Sequence, residues 1–158
     1  MAYAFIILLI AAITVFAHVE NDAVPSPRDN MRTTEAEWLV TYGEAAQQFL
    51  NANPGYSGTI TDAQISTGLA SWGNLPTAMT NAGISHGALV SSNRAYAWGV
   101  LPLAESSEAV GMLIKHDPDL AGNEAVYIDV NGVLVNPAMG GSAPAPAGIP
   151  NDAIVYAP

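Results

Sequence analysis

The residues of this 158-residue chain best suited to proton transfer or metal binding are three histidines, His18, His86 and His116. Ser91 and Ser92 follow His86 closely, and Asp117 follows His116. Activating a hydroxyl nucleophile takes a serine within hydrogen-bond reach of a histidine that a carboxylate orients. The chain has no GxSxG elbow to present such a serine. A zinc site takes three or four converging ligands, and no HxxxH, HxH or HExxH spacing occurs. Cysteine is absent, which removes thiolate ligands and disulfides together. The acidic pairs Glu105/Glu108 and Asp117/Asp119 read as helix N-terminal acids and a solvated turn. Asp117-Pro118-Asp119 also lacks the glycine and distal glutamate of a calcium loop. Gly140-Gly141 follows no strand–helix pattern, so it makes no phosphate cradle. These patterns predict neither an enzyme nor a cofactor or metal. The catalytic alternative is a secreted hydrolase using Ser91 or Ser92 with His86 or His116.

Charge narrows the partners. Fourteen acidic residues stand against four basic ones, Arg28, Arg32, Arg94 and Lys115, for a net charge of −10. Binding to nucleic acid, or electrostatically to anionic lipid, takes clustered Lys and Arg, and there is no cluster here. An acidic surface suits solubility or a basic partner. With 50% hydrophobic and 11% charged residues, the composition is that of a folded chain.

The compartment is set by residues 1–17, MAYAFIILLIAAITVFA, an apolar run without a charged side chain. A membrane-spanning helix needs about 20 apolar residues, and Met1 to Val19 comes close to that length. The alternative is a cleaved export signal, with small residues around Ala17 as the cut site. No Lys or Arg precedes Arg28, so the basic leader of a signal is missing, and the anchor is the favoured reading.

The elements that must position the remaining residues follow in order. Residues 20–33 contain Pro25 and Pro27 and read as a linker. A long helix follows, with Thr34 and Glu37 at capping-box spacing. Trp38, Leu39, Tyr42, Ala45, Ala46, Phe49 and Leu50 make its apolar stripe, and Pro54-Gly55 ends it near residues 51–53. Thr61 and Gln64 have the same capping spacing ahead of a short helix over 62–67. Residues 69–83 read as irregular, with Trp72 and Leu75 as core anchors. Residues 87–100 read as a hairpin turning at Ser91-Ser92-Asn93, and a helix is predicted from Glu108 to about His116. In AVYIDVNGVLV, residues 125–135, two β-branched runs flank Asn131-Gly132, the dipeptide of a two-residue type I′ hairpin. Residues 137–150 are mostly Gly, Ala, Ser and Pro and read as a mobile segment, with Ala153–Tyr156 returning as an edge strand.

The domain plan is therefore an anchor (1–19), a linker (20–33), an α+β domain (34–137) and a Pro/Ala-rich tail (138–158). In that domain the long amphipathic helix is expected to pack on a small antiparallel sheet. Aromatic and turn residues left exposed would mark a partner surface. Tyr56, Trp72, Asn131 and Gly132 are the partner-binding candidates.

The order of WLVTYGEAAQQFLNANPGYSGTIT, LASWGNLP, RAYAWG and AVYIDVNGVLVNP behind an apolar segment resembles the small PilM-type proteins of type IVb pilus systems found on conjugative plasmids and islands. The resemblance covers residues 1–137, and the tail from Ala138 departs from it. It implies a pilin-like α+β fold and a non-enzymatic protein of pilus assembly in conjugation. Such a protein would be held in the inner membrane by a single span, with its domain in the periplasm binding other pilus proteins. The alternatives are export after signal cleavage and a minor pilin built into the fibre.

Overall fold

The computed structural model describes residues 27–68, 74–101, 126–137 and 140–158. The chain forms two compact units, Met1–Asn30 and Met31–Pro158, and the second carries the sheet. The first described element is a helix, α1 (Pro27–Ala52), followed by a strand, β1 (Gly58–Ile60), and two short helices, α2 (Asp62–Gly68) and α3 (Leu75–Asn81). Six further strands follow among the described residues: β2 (Ser85–Ser91), β3 (Arg94–Val100), β4 (Val126–Asp129), β5 (Val133–Val135), β6 (Ser142–Pro144) and β7 (Ile154–Tyr156).

All seven strands join one antiparallel sheet in the order β1-β2-β3-β7-β4-β5-β6. This overturns the expected pilin-like α+β plan. The sheet is the main element, not a small platform, and α1 lacks the clean apolar stripe that a long amphipathic helix would bring. Its buried side mixes Glu35 with Ala36, Leu39, Tyr42, Ala45, Ala46 and Leu50, while Trp38 and Phe49 are only half-buried. The apolar N-terminal helix expected over 1–19 lies outside the described residues. Among those described, no helix is long and apolar enough to cross a membrane. The helix predicted over 108–116 also lies outside them.

Two boundaries move for identifiable reasons. Helix α1 starts at Pro27, inside the segment read as a linker. A proline in the first turn forfeits only an N–H that has no helical partner there. The same disguise hides α3, where Leu75-Pro76 opens a helix in a segment read as irregular, and Leu75 and Met79 are buried. The segment read as a tail supplies both β6 and β7. Strand β7 is no edge strand, because it lies between β3 and β4 and Ile154, Val155 and Tyr156 are all buried. Its pairing is non-local, so no local pattern announces its place.

Residues paired directly across strands share a face of the sheet. One face gathers Ile60, Ala88, Val90, Ala95, Ala97, Val126, Ile154 and Tyr156 with Leu39 and Tyr42 of α1 into the main core. The other carries Leu89, Trp98, Val155 and Leu134, with Gly148 of the C-terminal segment over Leu89. Turn chemistry fixes the register. Asn131 and Gly132 have φ of 55° and 81°, and Val130 and Val133 exchange backbone hydrogen bonds of 2.8 and 3.2 Å, the type I′ hairpin the dipeptide predicts. Ser92 and Asn93, with φ of 51° and 60°, close the β2–β3 hairpin.

Helix α1 approaches the sheet closely at Gly43, where a Cβ would stand 2.4 Å from Cδ1 of Tyr156. Alanine at position 43 would gain about 1 kcal/mol in helix propensity. Overpacking against a buried ring costs about 1–3 kcal/mol before the backbone yields. Gly43→Ala is therefore expected to lower stability by up to about 2 kcal/mol in urea unfolding, whereas a solvent-facing helix glycine would give a gain.

Candidate functional site

Strand β1 is only three residues long, and its shortness opens a cleft. It covers Ala88, Leu89 and Val90 of β2 and then stops, so Ser85, His86 and Gly87 run on without it. Thr61 and Gln64 turn the chain away from the sheet at that point. Gln64 Oε1 accepts the Thr61 N–H at 2.8 Å, and Thr61 Oγ1 accepts the Gln64 N–H at 3.3 Å, the reciprocal capping box the spacing predicts. The resulting cleft of about 280 Å³ is lined by Tyr42, Thr59, Asp62, His86, Gly87 and Trp98 among others.

Tyr42, Asp62 and His86 meet in its wall. The Tyr42 hydroxyl donates to Asp62 Oδ1 at 2.8 Å. The Tyr42 and His86 rings meet edge to face, centroids 5.2 Å apart. His86 Nδ1 lies 3.1 Å from the Ile84 carbonyl oxygen, which can only accept, so Nδ1 carries the proton of that bond. The other ring nitrogen, Nε2, faces Asp62 Oδ2 at 3.5 Å and has no hydrogen-bond partner among the described residues. The His86 side chain is 5% exposed and that of Asp62 is 56% exposed. On the opposite face, the Trp98 indole lies against Gly87, where a Cβ would stand 2.6 Å from Cζ2. A side chain at 87 would displace the indole from the cleft wall.

Of the partner candidates, Tyr56 lies apart from Asn131 and Gly132. Tyr56 is half-buried, set edge to face with Phe49 at 5.0 Å, and its hydroxyl donates to the Thr59 carbonyl at 2.6 Å. Asn131 and Gly132 are exposed at the tip of the β4–β5 hairpin, with β2, β3 and β7 between them and β1. Asp129 Oδ1 accepts the Gly132 N–H at 3.0 Å and Asn151 Oδ1 accepts the Asn131 N–H at 2.7 Å, which hold that tip in place. Trp72 lies outside the described residues, as do His18 and His116. The sequence reading passed over Asp62 and Tyr42 as a pair; the capping box at Thr61 was the one signal fixing where Asp62 would stand. Ser91 and His86 sit at opposite ends of β2, roughly 16 Å apart along a strand, and so make no nucleophile–base pair.

A PilM family model matches residues 5–157. The chain belongs to the PilM family. The resemblance read from the helix, the Trp-bearing segment and the two hairpins thus stands, with one correction. The match takes in the C-terminal segment, so residues from Ala138 onward do not depart from the family. A crystal structure of a PilM protein from Escherichia coli B7A is similar in fold, with a TM-score of 0.52 over 86% of this chain and 98% of that one, at 21% identity. No curated protein matches the chain significantly.

In this PilM-family chain, burial first, and then the hydrogen bond and the charge of Asp62, raise the pKa of the Tyr42 hydroxyl well above its ordinary 10.0. A phenol held protonated in the folded state contributes stability that is full below the unfolded value and is lost as pH rises past it. The thermal midpoint is therefore expected to fall between about pH 9.5 and 11.5, and to fall less steeply in Tyr42→Phe. Equal slopes for the two proteins would remove Tyr42 from this role.

Proposed function

We propose that this chain is a membrane-anchored, non-enzymatic component of type IVb pilus assembly that works by binding other pilus proteins. The PilM match over residues 5–157 carries this reading and supports a pilus-related role. Residues 1–19 serve as the inner-membrane anchor, which their length and lack of charge support. The domain then faces the periplasm.

Two features of the domain favour binding over catalysis. The Tyr42 hydroxyl and Asp62 are committed to each other and tie α1 to the start of α2, and the high pKa of the phenol makes it a poor proton donor near neutral pH. At the hairpin tip, Val130 and Val133 are 44% and 40% exposed on either side of Asn131-Gly132. Apolar side chains held on a rigid turn suit a protein contact, and they keep Asn131 and Gly132 among the partner-binding residues.

The test is cross-linking and co-purification of the full chain from membranes of piliated cells, with mass-spectrometric reading of its N-terminus and its partners. Retained Met1 and co-enriched pilus proteins are expected. A soluble, truncated monomer with no pilus protein attached would overturn the proposal.

A further inference from the structure

Hydrogen bonding along β2 alternates between its two neighbours. The two-residue turn at Ser92-Asn93 makes Ser91 and Arg94 a hydrogen-bonded pair, so Leu89, Gly87 and Ser85 also point their backbone groups at β3. Val90 and Ala88 point theirs at Gly58 and Ile60 of β1. His86 is next in that outward series, and the residue that would face it is Asp62, which has already turned into α2. The N–H and C=O of His86 are therefore directed into the cleft with no strand opposite them.

The side chains there repeat the vacancy. His86 Nε2, on a side chain 95% buried, stands beside the Asp62 carboxylate without a hydrogen bond. The Asp62 carboxylate, 56% exposed at the cleft, is an acceptor that suits a donor-rich cation. An ammonium group offers three N–H donors and a positive charge. On the other face Trp98 offers an aromatic wall beside Gly87. A strand laid along β2 would alternate its side chains in the same way, one opposite His86 toward Asp62 and the next opposite Gly87 toward Trp98. A volume of about 280 Å³ holds one or two residues, below the usual range of about 300–1,000 Å³ for small-molecule pockets. The net charge of −10 attracts basic segments over longer range.

We propose that the cleft at the end of β1 seats an extended, lysine-bearing segment of a partner polypeptide. Its backbone pairs with His86, its lysine ammonium donates to Asp62, and its neighbouring apolar side chain lies on Trp98. This deepens the assembly reading above and rests on it.

The test uses the full chain in detergent and a labelled peptide, acetyl-Thr-Val-Lys-Val-Thr-amide, followed by fluorescence anisotropy. Saturable binding is expected, weakened at least tenfold when the lysine is replaced by glutamate and at least tenfold when its backbone nitrogen is methylated. Asp62→Asn, which keeps an acceptor for Tyr42, is expected to cost a similar factor with an unchanged thermal midpoint. Absence of saturable binding, equal affinity for the lysine and glutamate peptides, or indifference to N-methylation would overturn the proposal, and the peptide arms decide even if the variant fails to fold. Pilus proteins that co-purify equally with the unaltered chain and with Asp62→Asn would overturn the cleft while the assembly reading stands. Their absence from the unaltered chain would strike that reading instead, and the titration would still decide the cleft.

Discussion

The fold depends on its last strand. Hairpins β2–β3 and β4–β5 share no ladder of their own, and β7 joins them, pairing Ala97, Trp98 and Gly99 on one side and Val126, Tyr127 and Ile128 on the other. Three residues, Ile154, Val155 and Tyr156, thus close a seven-strand sheet and feed both its faces. The Arg94 guanidinium, set 5.9 and 5.8 Å from the ring centroids of Tyr96 and Tyr127, donates to the Ala157 carbonyl and secures the chain end beyond β7. Closure waits on contacts between residues about sixty positions apart, which puts most of the loop-closure entropy ahead of the reward.

The two edges of the sheet are treated differently. Backbone bonds from Ala145 to Gly132 and from Asn136 to Gly141 set the alternation along β5–β6, which places Pro144 opposite Val133 at a non-hydrogen-bonded position. The missing N–H of Pro144 therefore faces outward, and that edge is poor at accepting another strand. At the other edge, β1 stops short of His86 and leaves a donor and an acceptor exposed in a cleft with a carboxylate and an indole. Pro144 blunts one edge, and at the other the early end of β1 leaves His86 of β2 without a neighbour, a gap short enough to suit a short guest.

What the sequence made legible was local. Asn131-Gly132 specified its turn because left-handed φ at two successive residues is a demand that few dipeptides meet. Thr61 and Gln64 specified a helix start because both partners of the capping box lie within one turn. The pilin-like expectation failed where pairing is long-range. Residues 138–158 look like a tail by composition, yet they hold the central strand and one edge. Prolines at positions 27 and 76 read as breakers although each opens a helix. The candidate site was half legible. His86 stood out by type, but its neighbours Tyr42 and Asp62 come from elements 44 and 24 positions away, and nothing local joins them.

The claim that most of this rests on is the central place of residues 154–156. Amide hydrogen exchange on the full chain tests it directly. The amides of Val155 and Tyr156 are expected to exchange as slowly as those of Ala97 and Trp98 in β3, at the rate set by global unfolding. Exchange within seconds at 154–156, with β3 still protected, would contradict the account, since the C-terminus would then be a tail after all.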